Sequence, residues 1–372
     1  MSANQNSIYV GMDVHKAAIN VAVTVRGRRE PEAEWQLANE PRSIKKLVKQ
    51  LKGMARGGAV SAAYEAGPCG YALQREMCEQ GIECSVVAPS LIPVKPGEHV
   101  KTDRRDARKL AAMLQAGLLT EVHPPTPEDE SVRDLTRARE DTKQDQMRAR
   151  HRLGKMLLRH GFVYREGKNW TMRHRNWLKQ VRFGDEIAQR VFEGYVLVLE
   201  QVEERLKRID EQLEAVARSE RYVERVGWLR CLRGVETVTA MMILAELHDF
   251  RRFTSPRELM SFLGMTPSEH TSSSRVRRGS ITKAGNTHVR RVLIEAAHHY
   301  RHRPSVSSTM RQRRNGQPAR VLAIADRAQE RLHSRYFKLK EGYKKPHNVA
   351  VVAIARELVG FIWAVLRETE AA

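Results

Sequence analysis

Four carboxylates stand where they could share a metal ion. Asp13 ends an apolar run, residues 8–14, "IYVGMDV". Glu65 ends a second apolar run, residues 59–66, "AVSAAYEA". Asp103 and Asp106 lie in "VKTDRRDARKLAAML" at residues 100–114, one helical turn apart and so on one face of a helix. If the two apolar runs are parallel neighbouring strands, Asp13 and Glu65 emerge at the same edge of a sheet, where α/β sheets build their sites. Carboxylate oxygens suit Mg²⁺, which keeps waters and takes phosphate oxygens as further ligands. Two such ions can clamp the attacking and leaving oxygens of a phosphodiester. Each acid also has a plainer reading, as a strand-end turn residue or, for Asp103, as a helix N-cap.

The charge balance favours the chemical reading. The chain has 372 residues and a formal net charge of +21. Such a surplus attracts polyanions and releases their counterions, which points to nucleic acid. Lys101, Arg104, Arg105 and Arg108 surround the aspartate pair and would draw a nucleic acid that the acids alone would repel. No membrane partner is expected: the start is polar and "VAVVAIARELVGFIWAVL" near the end carries Arg356 and Glu357, which suits a buried helix. Cys69, Cys78, Cys84 and Cys231 have no zinc-type spacing and are read as reduced thiols of a cytoplasmic protein. His298 and His302, in "HHYRHR", are read as solvated basic surface.

The elements that must hold the acids follow from pattern. Strands are expected at 8–14, 17–25, 34–38, 59–66 and 82–89, with helices at 41–54, 70–81 and 103–116. That order makes an α/β domain with a mixed sheet over residues 1–125. "HPPTPEDES" at 123–131 marks its end. Residues 126–222 form a helical middle, with long helices at 131–160 and 186–222. Leu199, Val202, Leu206, Ile209, Leu213 and Val216 form a coiled-coil-like seam, pairing within the chain or between subunits. Tyr164, Trp170 and Trp177, set among cations, offer stacking for bases, or else anchor a small hydrophobic cap. Residues 223–372 form a mainly helical carboxy-terminal domain. Its "LRCLRGVETVTAMMILAEL" at 229–247 is similar to a helix-hairpin-helix element, turning at Gly234. Residues 262–300 are read as a polar loop running into a helix near "NTHVRR", and residues 311–345 as basic and irregular.

Asp13 in "GMDVHK", Glu65 in "YEAGPCGY" and the pair in "KTDRRDARKLA" resemble the DEDD transposases of bacterial insertion sequences, the insertion-sequence-110 family. "FLGMTPSEHTSSSRVRRGSITKAGNTHVRR" resembles that family's second signature, and the resemblance covers nearly the whole chain. It implies a RuvC-like amino-terminal domain of RNase H fold, with Mg²⁺ or Mn²⁺ on the four acids. It implies a serine nucleophile that forms a covalent phosphoserine link to DNA. Counting back from Gly279, Ser272 takes that place, followed here by Ser273 and Ser274 where the family usually has glycine. A serine hydroxyl needs activation, so the metal-bearing domain and the serine loop would have to meet, in one subunit or across two. Arg275, Arg277 and Arg278 could stabilise charge on the phosphorus, and Lys283 could join them on the nucleic acid. The resemblance further implies donor and target DNA, a non-coding bridge RNA that guides recombination, a homodimer or homotetramer, and nucleoid association when bound. Two other readings stay open from the residues alone. A junction-resolving endonuclease would need the acids but not the serine. A nucleic-acid scaffold would need neither.

Overall fold

The structure is a computed structural model that describes residues 7–28, 30–93, 102–272 and 275–367. The chain forms two compact units, residues 1–124 and 125–372.

The first unit is built on a six-stranded mixed sheet in the order β3-β2-β1-β4-β5-β6. Its strands are β1 (Ile8–Val14), β2 (Ala18–Val25), β3 (Ala33–Ala38), β4 (Val60–Glu65), β5 (Glu83–Val87) and the two-residue β6 (Glu121–Val122). β1 runs parallel to β4, and β4 to β5; the other pairs are antiparallel. Three helices, α1 (Pro41–Ala55), α2 (Ala72–Glu79) and α3 (Asp103–Gln115), complete the unit. Alternation along the strands separates two faces. Ile8, Val10 and Met12 join Ile19, Val21 and Val23 in a core with Ile44, Leu47, Val48 and Leu51 of α1. The opposite face carries α3, with Leu110 on Ala63 and Val87.

Gly11 explains how closely α3 lies on that face. A Cβ at Gly11 would stand 2.1 Å from the Ala107 carbonyl oxygen and 2.4 Å from the Ala111 nitrogen. Only hydrogen fits between strand and helix. Arg108 adds a second tie, from α3 to Glu34 of β3. Thr102 caps α3, accepting from the Arg105 backbone N–H. The capping role considered for Asp103 therefore belongs to Thr102, and Asp103 is the first helical residue.

The second unit opens with α4 (Pro127–Arg159), followed by α5 (Met172–Gln180) and α6 (Glu186–Ala217). α4 and α6 are about 50 Å long and antiparallel, as Arg139 meets Asp210 while Arg150 meets Glu203. The expected seam is buried inside this chain. Leu199 packs with Leu153, Met156 and Leu157, while Ile209 and Leu213 join the core of the carboxy-terminal helices. Those helices are α7 (Val223–Leu229), α8 (Thr237–Leu247), α9 (Pro256–Phe262), α10 (Thr287–Ala297), α11 (Ser308–Arg314), α12 (Ala319–Phe337) and α13 (His347–Arg367). The boundary expected at residue 222 thus runs through one compact unit, because the α6 seam continues into that core. α13 is long and apolar enough to cross a membrane by length and composition. Ala350, Val351, Ile354, Leu358, Ile362 and Val365 along it are buried in the core of this unit.

Two expectations are corrected here. Residues 311–345 are not irregular: α11 and α12 occupy most of them, and Val321, Ile324, Ala325, Ala328 and Leu332 bury one face of α12. The polar stretch after residue 262 is not only a loop: β7 (Pro267–Ser272) and β8 (Arg275–Ile281) pair as an antiparallel hairpin.

Candidate active-site residues

The parallel pairing of β1 with β4 sets Met12 opposite Tyr64. Asp13 and Glu65 are the next residues on each strand, so both leave the sheet at one edge. Three interactions shape the loops beyond them. The Cys69 thiol donates to the Val14 carbonyl, the Asn39 amide donates to the His15 carbonyl, and the Tyr64 hydroxyl donates to the Gly70 carbonyl. α3, pressed onto β1 at Gly11, brings its first turn to the same edge.

Asp13 and Asp103, ninety residues apart, meet there around a residue that pattern reading passed over. His15 Nε2 lies 3.2 Å from Asp13 Oδ2 and 3.6 Å from Asp103 Oδ2. Candidate ligand atoms of Asp13, His15 and Asp103 all fall within 4.8 Å of one another. Burial pushes the Asp13 carboxyl above its ordinary range. His15 pulls it back, and the charges of Asp103 and Asp106 push it up again, which places Asp106 in the same field. Crowded carboxylates with hard oxygen donors suit a divalent cation, which would relieve their repulsion. His15 was legible only as the D-x-H spacing in "MDVHK".

The basic residues around the acids differ in exposure and in the contacts seen for them. Arg104 and Arg105 are exposed on α3, whereas Arg108 is engaged by Glu34. Lys101 lies outside the described residues.

Tyr164, Trp170 and Trp177 sit at the far end of the helical pair. All three are half-buried, and each ring packs against buried His174. The two tryptophans pack against a small core containing Leu153, Leu178 and Phe192. Arg150 stacks on Trp170 and, with Arg175, donates to Glu203. This is the hydrophobic-cap arrangement.

Ser272 is the last residue of β7, its backbone in register with Arg275. Its side chain, those of Arg275 and Arg278, and Ser273 and Ser274 lie outside the described residues. Arg277 is exposed on β8, and Lys283 is exposed in the turn that follows. The hairpin's foot is tightly made. A Cβ at Gly264 would meet the Ala284 carbonyl oxygen at 2.6 Å, and one at Gly285 the Phe262 carbonyl oxygen at 2.1 Å. Both glycines also have positive φ. Asn286 caps α10 with its side-chain oxygen and donates its amide to buried Glu246. Arg137 of α4 donates twice to the same carboxylate. Burial alone would raise the Glu246 carboxyl, but these donors hold it below its ordinary range. Arg290 donates to the Leu263 carbonyl beside the crossing. Residues of "FLGMTP" and "KAGNTHVRR" therefore build the base of the hairpin whose first strand ends at Ser272.

The Gly234 turn is closed in a similar way. A Cβ there would meet the Ala296 carbonyl oxygen at 2.6 Å, and the following helix α8 is buried almost all round.

Sequence comparison decides the family. The "Transposase IS116/IS110/IS902 family" model matches residues 228–311, and the DEDD transposase model of IS110 elements matches residues 10–162. The chain is 38% identical over 367 residues to y4qE of Sinorhizobium fredii, a protein named as a transposase, covering 98% of this chain and 90% of that one. The chain belongs to the IS110 family of insertion-sequence transposases. It is also 37% identical over 350 residues to the transposase for insertion sequence element IS1533 of Leptospira borgpetersenii, covering 92% and 99% of the two chains. A transposase is a DNA-cutting and rejoining enzyme, so DNA is one polyanion that the +21 charge would attract. One matched region carries the acids, and the other carries the serine hairpin.

Proposed function

We propose that this transposase is an RNA-guided DNA recombinase that works through a covalent phosphoserine. The observation that carries the reading is the convergence of Asp13 and Asp103 at one strand edge. Asp13, Glu65, Asp103 and Asp106 hold Mg²⁺ or Mn²⁺, with His15 as a neighbour able to join the ligand set. When bound, the cation supplies charge neutralisation at the phosphate and lowers the pKa of a coordinated oxygen. Ser272 Oγ attacks the phosphorus: its P–O bond forms as one backbone P–O bond of the DNA breaks. The seryl proton is lost to solvent or a base, and the departing deoxyribose oxygen takes up a proton. One phosphoester replaces another, so the strand can be resealed without an external energy source. Arg275, Arg277 and Arg278 lie on the strand after Ser272 and would steady the charge on the phosphorus.

Sequence choice is delegated to base pairing with a non-coding guide RNA, the protein reading backbone and shape. The exposed cations of the chain suit both nucleic acids. Several strands must be cut and rejoined, which calls for a homodimer or homotetramer. Because the α6 seam is buried within the chain, that contact would use another surface.

The test is a covalent adduct. The protein is expressed with its native flanking non-coding DNA and a plasmid bearing joined element ends and target. Denaturing electrophoresis should show a nuclease-sensitive slow band in wild type and none in Ser272→Ala. Plasmid cutting without adduct in either would make the chemistry hydrolytic and remove the serine from the mechanism.

A further inference from the structure

Asn20 of β2 is the direct antiparallel partner of Asp13. Side chains of such partners project from the same face, with Cβ atoms about 5 Å apart. Gly11, two residues before Asp13, faces α3, so Asp13 and Asn20 both lie on the α3 side of the sheet. Asn20 is only 6% exposed, and its amide nitrogen is buried with no hydrogen-bond partner among the described residues. Thr24, further along the same face, is spent on the Tyr9 carbonyl. A buried donor left unpaired is costly, and an aliphatic residue would serve a strand better at this position.

We infer that Asn20 is a positioning residue of the acidic site, its unpaired amide turning to donate to the Asp13 carboxylate when that group takes up the cation. Asp13 Oδ2 is turned toward His15, which leaves the carboxylate's second oxygen for a donor on its own side of the sheet. A hydrogen bond to a ligating carboxylate sets its rotamer and limits which oxygen meets the metal. Such supporting donors typically change metal affinity 10–100-fold. The inference rests on the proposed metal site, and the experiment separates the two.

Full-length wild type, Asn20→Leu, Asn20→Ala and Asp13→Asn are titrated with Mn²⁺, free ion being read by electron paramagnetic resonance. Metal-free melting is recorded alongside. Asn20→Leu is expected to melt no lower than wild type, since it removes an unpaired buried donor. Its Mn²⁺ dissociation constant should rise at least tenfold, and Asn20→Ala should show the same rise if the leucine variant folds poorly. Unchanged Mn²⁺ affinity in both Asn20 variants, with binding lost in Asp13→Asn, would overturn the role of Asn20 and leave the metal site standing. Wild-type affinity in Asp13→Asn would overturn the metal site and the inference together.

Discussion

Replacing Gly11 with alanine puts a methyl carbon where α3 already lies. The new Cβ would stand 2.1 Å from the Ala107 carbonyl oxygen, 2.4 Å from the Ala111 nitrogen and 2.9 Å from Leu110 Cβ. Two of these are backbone atoms of α3, so no side-chain rotation relieves them. Ordinary contact needs more than 3 Å, so strand and helix must part by about 1 Å. Overpacking of this kind costs about 1–3 kcal/mol, and the first unit should melt roughly 4–10 °C lower. The functional loss should be larger than the stability loss suggests. α3 carries Asp103 and Asp106 to Asp13, and a displacement of about 1 Å at a reacting site can cost about 100-fold in rate. The assay is recombination between joined element ends and target on plasmids, with thermal melting of the purified full chain. Gly53→Ala on α1 is the control, since its Cβ would meet nothing within 4 Å. It should gain about 0.5–1 kcal/mol from helix propensity and keep full activity. Wild-type recombination and melting in Gly11→Ala would refute the close seat of α3 on β1 and the account of how the acids are brought together.

Further outcomes follow from the same contacts. Asp106→Asn should abolish DNA processing in cells while leaving the protein folded, because Asp106 is half-buried beside Asp13 and its charge adds to the load there; a colony-based excision assay reads this. Arg137→Met leaves the buried Glu246 carboxylate with Asn286 as its remaining close donor and should cost about 2–3 kcal/mol by denaturant melting, below the usual range because Arg137 is itself part-exposed. The pH dependence has a definite sign. Glu140, Glu203 and Glu246 all have folded-state carboxyls held below their ordinary range, so their stabilisation is present above the unfolded value near 4.3 and lost as pH falls through the folded values. Melting temperature should therefore drop below about pH 4.3, and less steeply in Arg137→Met than in wild type.

The parts of this chain that were legible in its sequence are those whose hydrophobic pattern is local. Strands β1, β2, β4 and β5 are short apolar runs between turn signals, and α1 and α3 have apolar residues every three or four positions, so the sheet and the edge holding Asp13 and Glu65 could be anticipated. The two-residue β6 is too short to leave a pattern. α12 left one, Val321, Ile324, Ala325, Ala328 and Leu332, but its arginines and acids mask an apolar stripe that only the core reveals. The serine hairpin is harder in principle. β7 and β8 read PSEHTS and RVRRGSI, mostly polar and charged, so apolar alternation carries no signal there. Its geometry is fixed instead at its foot, by Gly264, Gly285, Asn286 and the buried Glu246–Arg137 pair, which lie from the near end of α4 to the start of α10. His15 and Asn20 escaped for a related reason. Each is unremarked in its own segment, and each acquires meaning only when strand register sets it beside Asp13. The acids announce themselves by residue type, whereas Ser272 stands out only through the family resemblance. What holds them to the geometry the chemistry needs is contributed by residues distant in the chain, and register and close packing are the means by which those residues meet.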